Sequence, residues 1–376
     1  GGHLPVLATG RVQPNFPCKF LCSECMIRVH TRKRILSMIH GRKHISTQFR
    51  IILCILITCC LVGCGAQKKK SSQFEEGDGI IVGFSQIGAE SAWRTCNTRS
   101  VQEAAAQRGV QLVYDNAEQK QENQIKALRS FIAYQVDVIV FVPIVTGGWD
   151  NVLQEAKDAG IPVLVTDRKI DVADPSLYAG FIGTDSLKEG RNAGLFVLNK
   201  FKNARERFDD TGEHVNIVEL FGTEGSSVAL GRAEGFREVL QTHPEFRIIY
   251  SESGDFLRSR GYELAVEFLE MHEDIDIIFS HNDGMTLGVI EAMEERGLAP
   301  GTDIVIITID AQQAAIDALR EGKVNCVIEC NPKTGPEIIK LAERLAAGEK
   351  IPRLQYVHEE VFYETDDLSL IEHRGY

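Results

Sequence analysis

From residue 80 onward, short β-branched and apolar runs alternate with longer amphipathic stretches, and this alternation restricts the possible folds more than any other feature. Most runs are apolar at successive positions, which is typical of strands covered on both faces in a parallel sheet. Two successive sets of strand–helix units predict an α/β fold with two doubly wound parallel-sheet lobes. The runs that predict strands are 80–84, 110–114, 136–142, 162–166, 178–182, 215–220, 247–250, 275–279, 304–309 and 324–328.

The loops after these strands hold the best candidates for ligand binding, because open parallel sheets bind ligands at the carboxyl ends of their strands. Carboxylates and amides exchange hydrogen bonds with vicinal hydroxyls, arginine offers a rigid donor fork, and an aromatic ring covers the C–H face of a sugar. The loops therefore predict a site for a neutral polyol ring. The candidates are Ser85, Glu90, Trp93, Arg94, Asp167, Arg168, Arg232, Phe256, Asn282, Asp310 and Glu329.

Residues 80–363 resemble the type I periplasmic sugar-binding proteins, the group that holds the ribose- and galactose-binding proteins. Within that group the similarity is greatest to the galactofuranose-binding proteins of ABC importers. The Asp-Arg and His-Asn-Asp motifs are typical of the wider group, whereas the first two motifs are more specific to the subfamily. The motifs that carry the resemblance are 83–94 (GFSQIGAESAWR), 119–126 (QKQENQIK), 167–168 (DR), 253–256 (SGDF), 281–283 (HND) and 374–376 (RGY).

The resemblance implies a role for each candidate by its position. Trp93 and Phe256 would sandwich the sugar ring. The residues that would contact hydroxyl groups are Asp167 and Arg168 in the first lobe, Arg232, Asn282 and Asp310 in the second lobe, and Glu329 at the hinge. The second-rank candidates are Ser85, Glu90 and Arg94. Ala311 follows Asp310 where the wider group often has glycine, which predicts a tighter loop there.

The resemblance also implies where the chain passes between the lobes. The first lobe would comprise residues 80–184 and 330–358, and the second lobe residues 185–329 and 359–376. The three crossings would form a hinge, so that the lobes close around the sugar. The resemblance further implies a membrane permease of the ABC class as the partner, and we expect a monomer with no cofactor and no metal.

Some of these candidates have a purely structural alternative. Trp93 could be ordinary helix packing, although its polar surroundings favour binding. Glu90 and Arg94 are four residues apart and could simply pair on a helix face. Asp310 is favoured as a ligand residue because it ends a predicted strand.

Two dipeptide motifs have alternatives of their own. Asp167–Arg168 could be a surface ion pair, which would contribute only ~0–1 kcal/mol. Asn282–Asp283 could cap a helix, and we favour Asn282 as the ligand residue and Asp283 as the cap or hinge residue.

The region before residue 80 predicts export and membrane attachment. A basic stretch precedes an uncharged apolar run, 51–63, whose 13 residues are fewer than the ~20 that span a bilayer. A basic flank before a short apolar run is typical of a secretory signal. The run ends at Leu61-Val-Gly-Cys64, which resembles the bacterial lipobox, so we expect residues 1–63 to be a signal segment. Cys64 would then carry lipid, and residues 64–79 would tether the domain to the outer face of the cytoplasmic membrane.

The earliest residues add little to the functional prediction. Met38 begins a compact signal sequence, so residues 1–37 could be an over-extended translation start. Cys18, Cys22, Cys25 and His30 could suggest zinc, but they form no second Cys-x-x-Cys pair and have no domain around them. In the mature chain, Cys326 and Cys330 lie ~13 Å apart if the strand is extended, which is too far for a disulfide.

Charge argues against nucleic acid as the main partner. The chain carries 41 basic and 53 acidic residues. Residues 1–63 hold nine basic residues and one acidic residue, so the remaining residues hold 32 basic and 52 acidic residues and a net charge of −20. Such a domain repels a phosphate backbone.

The lead hypothesis is therefore a lipid-anchored receptor, not an enzyme, that delivers a monosaccharide to an importer by hinge closure. One alternative is a receptor that presents the sugar to a sensor kinase. A glycoside-processing enzyme could use Asp167, Asp310 and Glu329 as an acid/base set, but nearby arginines would keep these carboxyl groups ionised. A sugar-responsive repressor would need a DNA-reading helix pair, where this chain has an export signal.

Overall fold

The computed structural model describes residues 79–376, and these form two lobes that each contain one six-stranded sheet. The predicted signal segment, Cys64, the tether up to residue 78 and the early cysteines lie outside the described residues. The strands are Ile81–Gln86 (β1), Gln111–Asn116 (β2), Val138–Phe141 (β3), Val163–Thr166 (β4), Gly180–Gly183 (β5), Val215–Phe221 (β6), Phe246–Ser253 (β7), Ile277–Ser280 (β8), Val305–Asp310 (β9), Cys326–Glu329 (β10), Leu354–Tyr356 (β11) and Val361–Tyr363 (β12).

Helices connect most of these strands. In the described part of the chain, no helix is both long and apolar enough to cross a membrane. The α-helices are Ala92–Gln107 (α1), Gln121–Tyr134 (α2), Asp150–Asp158 (α3), Ser186–Lys200 (α4), Ala204–Thr211 (α5), Ser227–Leu240 (α6), Arg258–Met271 (α7), Asp283–Glu295 (α8), Gln313–Arg320 (α9) and Gly335–Ala346 (α10).

The two sheets have the same order of strands. The first sheet runs β11-β5-β4-β3-β1-β2, with all neighbours parallel, and the second runs β12-β10-β9-β8-β6-β7. In the second sheet only β12 is antiparallel to its neighbour. In both sheets the order reverses beside the first strand of the lobe, and such a switch point is where α/β proteins bind ligands. The predicted fold class is confirmed.

Burial explains why the strands carry apolar residues at successive positions. In β3, Val138 and Val140 pack on one face with α1 and α10, while Ile139 and Phe141 pack on the other face with α2 and α3. All four side chains are fully buried. A strand that is covered on both faces has no solvent side, so its sequence loses the polar alternation of a half-exposed strand.

The ten predicted strands each correspond to an observed strand, but the prediction missed β11 and β12. Each of these strands has only three residues and pairs along one side at the edge of a sheet. Helix α1 begins at Ala92, eight residues before the predicted start. Its first turn is polar and amphipathic periodicity is weak there, but the hydroxyl of Ser91 caps the helix by accepting from the backbone N–H of Arg94.

The chain passes between the lobes three times, at 184–185, 330–334 and 357–360. The first crossing joins β5 to α4, and the second joins β10 to α10, which packs on α1. The third joins β11 to β12, so that the edge strands of the two sheets are separated by four residues. Cys96, Cys326 and Cys330 are buried free thiols.

Candidate functional site

A cavity of about 350 Å³ lies between the lobes at the carboxyl ends of the strands. The cavity brings together every predicted site residue except Ser85 and Glu329. Its lining residues are Glu90, Ser91, Trp93, Arg94, Asp167, Arg168, Val228, Arg232, Phe256, Asn282, Asp310 and Cys330.

Arg94 joins two carboxylates on the side of the first lobe. Its Nη1 donates to Asp167 Oδ2 at 2.7 Å, and its Nε donates to Glu90 Oε1 at 3.2 Å. Burial alone would lower the pKa of the Arg94 guanidinium, but Asp167 and Glu90 raise it above the ordinary value. Glu90 and Arg94 do pair, but Glu90 precedes α1, so the pair does not lie on a helix face, and both residues line the cavity. Asp167 bonds to Arg94 instead of forming a surface ion pair with its neighbour Arg168.

Arg168 is the least compensated cation in the cavity. Its Nη1 donates to the carbonyl of Ile144 at 2.8 Å, and its buried Nε has no partner among the described residues. Burial and, after it, the neighbouring Arg94 lower the pKa of Arg168 to about 10. The side chain therefore keeps donor capacity for a ligand that can accept hydrogen bonds.

Arg232 is the corresponding cation of the second lobe. Its Nε donates to Glu189 Oε2 at 2.6 Å, its Nη1 donates to the carbonyl of His281, and its Nη2 lies 3.7 Å from Asp310 Oδ1. Arg232 and Glu189 are 2% and 1% exposed, so this ion pair is shielded from solvent. Burial opposes the charged form of Arg232, but Glu189 raises its pKa above the ordinary value.

Glycines in two helices bring Glu189 and Arg232 together. A Cβ on Gly190 of α4 would lie 2.1 Å from the carbonyl oxygen of Arg232, and a Cβ on Gly235 of α6 would lie 2.0 Å from that of Leu187. The helices can therefore pack backbone to backbone only because these positions lack side chains. This close packing places the carboxylate of Glu189 behind the guanidinium of Arg232.

Asp310 and Asp283 form a buried acidic pair behind the second lobe's arginine. Asp283 accepts from the hydroxyl of Thr308 at 2.7 Å and from the backbone N–H of Gln312 at 2.6 Å. Burial raises the pKa of Asp283 to about 7. Burial also raises the pKa of Asp310 well above its usual range, and Asp283 adds to this although Arg232 opposes it. Burial and Asp283 thus oppose the attraction of Arg232 at Asp310, and the expectation that arginines keep the cavity carboxyls ionised stays a prediction.

The ring of Phe256 lies between the arginines of the two lobes. The Arg168 guanidinium lies 5.4 Å from the ring centroid and the Arg232 guanidinium 5.8 Å from it. Gly222 makes room for the ring, since a Cβ there would lie 2.1 Å from the Phe256 Cζ. On the opposite wall, the indole N–H of Trp93 donates to the carbonyl of Cys330 at 2.5 Å. Both aromatic residues line the cavity, and their sandwich around a ring stays a prediction.

Three of the cavity residues have left-handed backbone conformations. The φ angles are +63° at Asp167, +60° at Phe256 and +128° at Asp310, and Ala311 is at +62°. Such angles cost of order 1–3 kcal/mol each for residues other than glycine, and they cluster at functional sites. They turn the chain sharply at the strand end, so that the side chain projects into the cleft. Ala311 adopts this conformation where a glycine would adopt it without strain.

Asn282 caps helix α8, which corrects the prediction for this pair. Its Oδ1 accepts from the backbone N–H of Met285 at 3.0 Å, and its Nδ2 donates to the carbonyl of Phe256 at 3.2 Å. Asp283, which was favoured as the cap, points instead to Thr308. Asn282 still lines the cavity, and one N–H of its amide remains for a ligand.

Ser85 and Glu329 do not line the cavity, which corrects their predicted roles. Ser85 is fully buried beneath the first lobe's strand end, and its hydroxyl has no partner among the described residues. The carboxylate of Glu329 is held by the guanidinium of Arg374 and by the backbone N–H of Glu360 at 3.0 Å. Since both of its oxygens are occupied, Glu329 supports the hinge and the carboxy-terminal tail.

Sequence reasoning missed Cys330, which lines the cavity, and Glu189 and Glu359, which lie behind it. Glu189 is in the first turn of α4, where an acidic residue is ordinary because it favours the helix dipole. Cys330 was considered only for a disulfide. Glu359 is in a crossing segment without periodicity. None of the three had a local signal that could have identified it.

The mouth of the cleft is closed by hydrogen bonds between the lobes. The backbone N–H of Thr146 donates to the carbonyl of Gly225 at 3.0 Å. The backbone N–H of Lys169 donates to the Ser227 hydroxyl at 2.7 Å. The described conformation is therefore one in which the two lobes meet over the cavity.

Comparison with known proteins agrees with this architecture. The family model described as periplasmic binding protein domain matches residues 82–350. The chain is 39% identical over 290 residues to the galactofuranose-binding protein YtfQ of Escherichia coli (strain K12), covering 76% of this chain and 88% of that protein.

Two solved structures are also similar. One is a Mycobacterium smegmatis protein in complex with β-D-fucofuranose, with a TM-score of 0.72 and 45% identity over 76% of this chain and 92% of the other. The second is the periplasmic binding protein of the arabinose ABC transporter from Shewanella sp. ANA-3, bound to α- and β-L-arabinofuranose. Its TM-score is 0.71 and its identity 39%, again over 76% and 92% of the two chains. With the family model matching most of the chain and the cleft at the predicted strand ends, this protein belongs to the periplasmic binding protein family, in its type I sugar-binding group.

Proposed function

We propose that this protein binds a neutral furanose sugar between its lobes and delivers it to an ABC importer. The observation that carries the proposal is a cavity in which two of the three lining arginines, one from each lobe, are paired with carboxylates of the protein. Arg94 is held by Glu90 and Asp167, and Arg232 by Glu189. A charged ligand would disturb these pairs, whereas a polyol can bond to their remaining donors and acceptors.

The relatives support a furanose as the ring form of the ligand. The names of the three proteins compared above mention galactofuranose, fucofuranose and arabinofuranose, which are all five-membered rings. Because residues from both lobes surround the cavity, the sugar would favour the closed form, and the importer would read that form.

Calorimetry with ring-locked glycosides tests this proposal. We expect binding of free L-arabinose and of methyl furanosides, and no binding of the matching methyl pyranosides. Equal affinity for pyranosides would contradict the ring form. The absence of heat with any sugar at millimolar concentration would contradict sugar binding itself.

We further propose that the protein acts without chemistry on the sugar. Asp167 is engaged by Arg94, and Glu329 lies away from the cavity with both oxygens occupied. Of the three carboxyl groups considered for an acid/base pair, Asp310 is thereby left without a second one that is free to act with it. Incubation with aryl furanosides should release no phenol, and steady release would favour a glycosidase.

The membrane attachment is also a proposal. A lipid on Cys64 would hold the protein at the outer face of the cytoplasmic membrane, close to the importer. Expression of the full chain and of Cys64→Ser in a bacterial host tests it. We expect the parent in the membrane fraction with incorporated palmitate, and the variant in the soluble fraction without it. Membrane retention of the variant would argue for attachment by the apolar run.

A further inference from the structure

A cluster of three titratable side chains lies where the crossing segments meet. Glu189 is one turn after the first crossing, Cys330 begins the second, and Glu359 lies in the third. One ligand-type atom from each residue lies within 4.8 Å of those of the other two. Glu189 and Cys330 are buried and Glu359 is half-buried. The cluster adjoins the cavity, because Glu189 also holds Arg232.

Two carboxylate oxygens in this cluster have no partner in the described part of the chain. They are Oε1 of Glu189 and Oε1 of Glu359, and both are inaccessible to solvent. The other oxygen of Glu189 accepts from Arg232 at 2.6 Å. A buried acceptor without a donor is costly. The two carboxyl groups lie in hydrogen-bond contact, with one oxygen of each within 4.8 Å of the other, which indicates a hydrogen atom between them. One proton on Glu359 would satisfy both oxygens.

The surrounding charges agree with a proton at this position. Glu359 faces Glu189 on α4, Cys330 on the second crossing and Arg232 on α6, with Asp310 on the far side of that guanidinium. The single guanidinium of Arg232 thus lies among three carboxyl groups, those of Glu189, Glu359 and Asp310. Burial and then Glu189 raise the pKa of Glu359 to about 10, and burial raises the pKa of the Cys330 thiol, so Cys330 is uncharged. A second ionised carboxylate beside Glu189 would be uncompensated.

We propose that Glu359 is a positioning residue for sugar binding, which carries a proton at neutral pH and donates it to Glu189 Oε1. Glu189 then keeps a single fixed orientation and holds Arg232 against the cavity. Glu359 lies in the third crossing segment and Glu189 follows the first. The hydrogen bond between them therefore also connects two segments of the hinge in the closed form. This inference rests on the proposed sugar-binding function for its effect on affinity, but not for the proton itself.

A metal ion is the other species that could satisfy these oxygens. A cation would need the thiol and both carboxyl groups deprotonated. It would also lie next to the guanidinium of Arg232, which already neutralises Glu189. The geometry therefore favours a proton over a cation.

Infrared difference spectroscopy tests the proton directly. At pH 8 the parent should have a carbonyl band of a protonated carboxylic acid that is absent from Glu359→Gln. Glu360→Gln is the matched control, because its side chain is exposed and next in sequence, and it should keep the band. The difference between parent and variant also removes any contribution of Asp310. Identical spectra for parent and Glu359→Gln would overturn the proposal.

Sugar affinity tests the positioning role. At pH 7.5, Glu359→Gln can still donate to Glu189 and should bind L-arabinose within twofold of the parent. Glu359→Ala leaves the oxygen of Glu189 without a donor, and the affinity should fall roughly tenfold. Parent-like affinity of Glu359→Ala, in a sample with a cooperative melting transition, would refute the positioning role. The positioning role would also be refuted if the infrared band is present in the parent and both variants lose sugar affinity to the same extent.

The pH dependence gives a readout that a purely structural residue would not change. From pH 8 to 10.5 the affinity of the parent should fall more steeply than that of Glu359→Gln. Arg168 loses charge over the same range in both proteins, so only the difference counts. Parallel curves would overturn the proposal, as would a zinc-dependent rise in melting temperature that Glu359→Gln abolishes. If no sugar binds to any of these proteins, the proposed function fails while the infrared result still decides the proton.

Discussion

Replacing Phe256 by leucine separates the charge effect of its ring from its apolar surface. The ring contacts the Arg168 guanidinium of the first lobe at 5.4 Å and the Arg232 guanidinium of its own lobe at 5.8 Å. Leucine keeps most of the apolar volume but has no quadrupole to attract a cation. Only the contact with Arg168 joins the two lobes, so only this contact should be lost on opening.

The expected magnitude follows from these distances and from burial. Cation–π contacts contribute about 0.5–1 kcal/mol when exposed and about 2 kcal/mol when desolvated, within roughly 6 Å. Arg168 is buried, but its distance to the ring is near the limit, so we take about 1 kcal/mol for the contact between lobes. The Kd for sugar should then rise about fivefold. The contact with Arg232 exists in the open form as well, and its loss should lower the Tm by about 2–4 °C.

Calorimetry and thermal unfolding measure the two effects separately. Phe221→Leu is the matched control, because Phe221 packs on His281 at 5.0 Å and does not line the cavity. It should lower the Tm without changing the Kd. A Kd of Phe256→Leu within twofold of the parent would refute the reasoning, and would mean that the ring acts through its area alone. Phe256→Ala, measured beside it, gives the additional loss of that area.

Three further predictions concern the pairs that surround the cavity. Asp167→Asn removes the anion that orients Arg94 and also removes a strong acceptor for a hydroxyl group of the sugar. The Kd for sugar should therefore rise roughly ten- to hundredfold. The control Asp171→Asn changes an exposed residue and should leave the Kd unchanged in the same titration. Gly190→Ala forces α4 and α6 apart and should lower the urea-derived free energy of unfolding by about 1–3 kcal/mol; an unchanged value would contradict the packing in the structure. Burial raises the pKa of Asp283 to about 7 in the folded protein. Between the ordinary aspartate pKa and about 7, the folded state therefore binds more protons than the unfolded state. The stability that this group contributes is lost as the pH rises through about 7. Between pH 5 and pH 8, the free energy of unfolding measured with urea should decrease less for Asp283→Asn than for the parent. Equal decreases would rule out Asp283 as the source of the pH dependence.

The fold could be predicted because its information is local. Ten strands have apolar runs that reflect burial on two faces, and such runs are visible without any knowledge of the partners. The strands β11 and β12 could not be predicted, since three residues are too few for a pattern and each strand exists only because an edge is available to it. The early start of α1 was missed because a serine cap, and not an apolar face, defines it.

The site was only partly predictable for a similar reason. Asp167 directly follows β4 and Asp310 ends β9, so the location of each at the carboxyl edge of its sheet follows from the topology. Glu189 reaches the site through the close packing of two helices, and Glu359 through a crossing segment. Their positions depend on tertiary contacts with no counterpart in the neighbouring sequence. For Asn282, sequence suggested both a cap and a ligand residue, and the helix geometry assigned the cap to it.

The placement of β11 and β12 has a consequence for how the chain folds during its synthesis on the ribosome. Each sheet is completed by an outer strand that comes late in the chain, β11 in the first sheet and β12 in the second. The first lobe therefore cannot be completed before residue 356 is synthesised, nor the second before residue 363. A fragment that stops before residue 354 would expose an unpaired edge in each half, and such edges invite aggregation. Neither lobe can therefore be produced as one continuous piece, and an excised version of the first would have to splice residues 335–356 onto its earlier part.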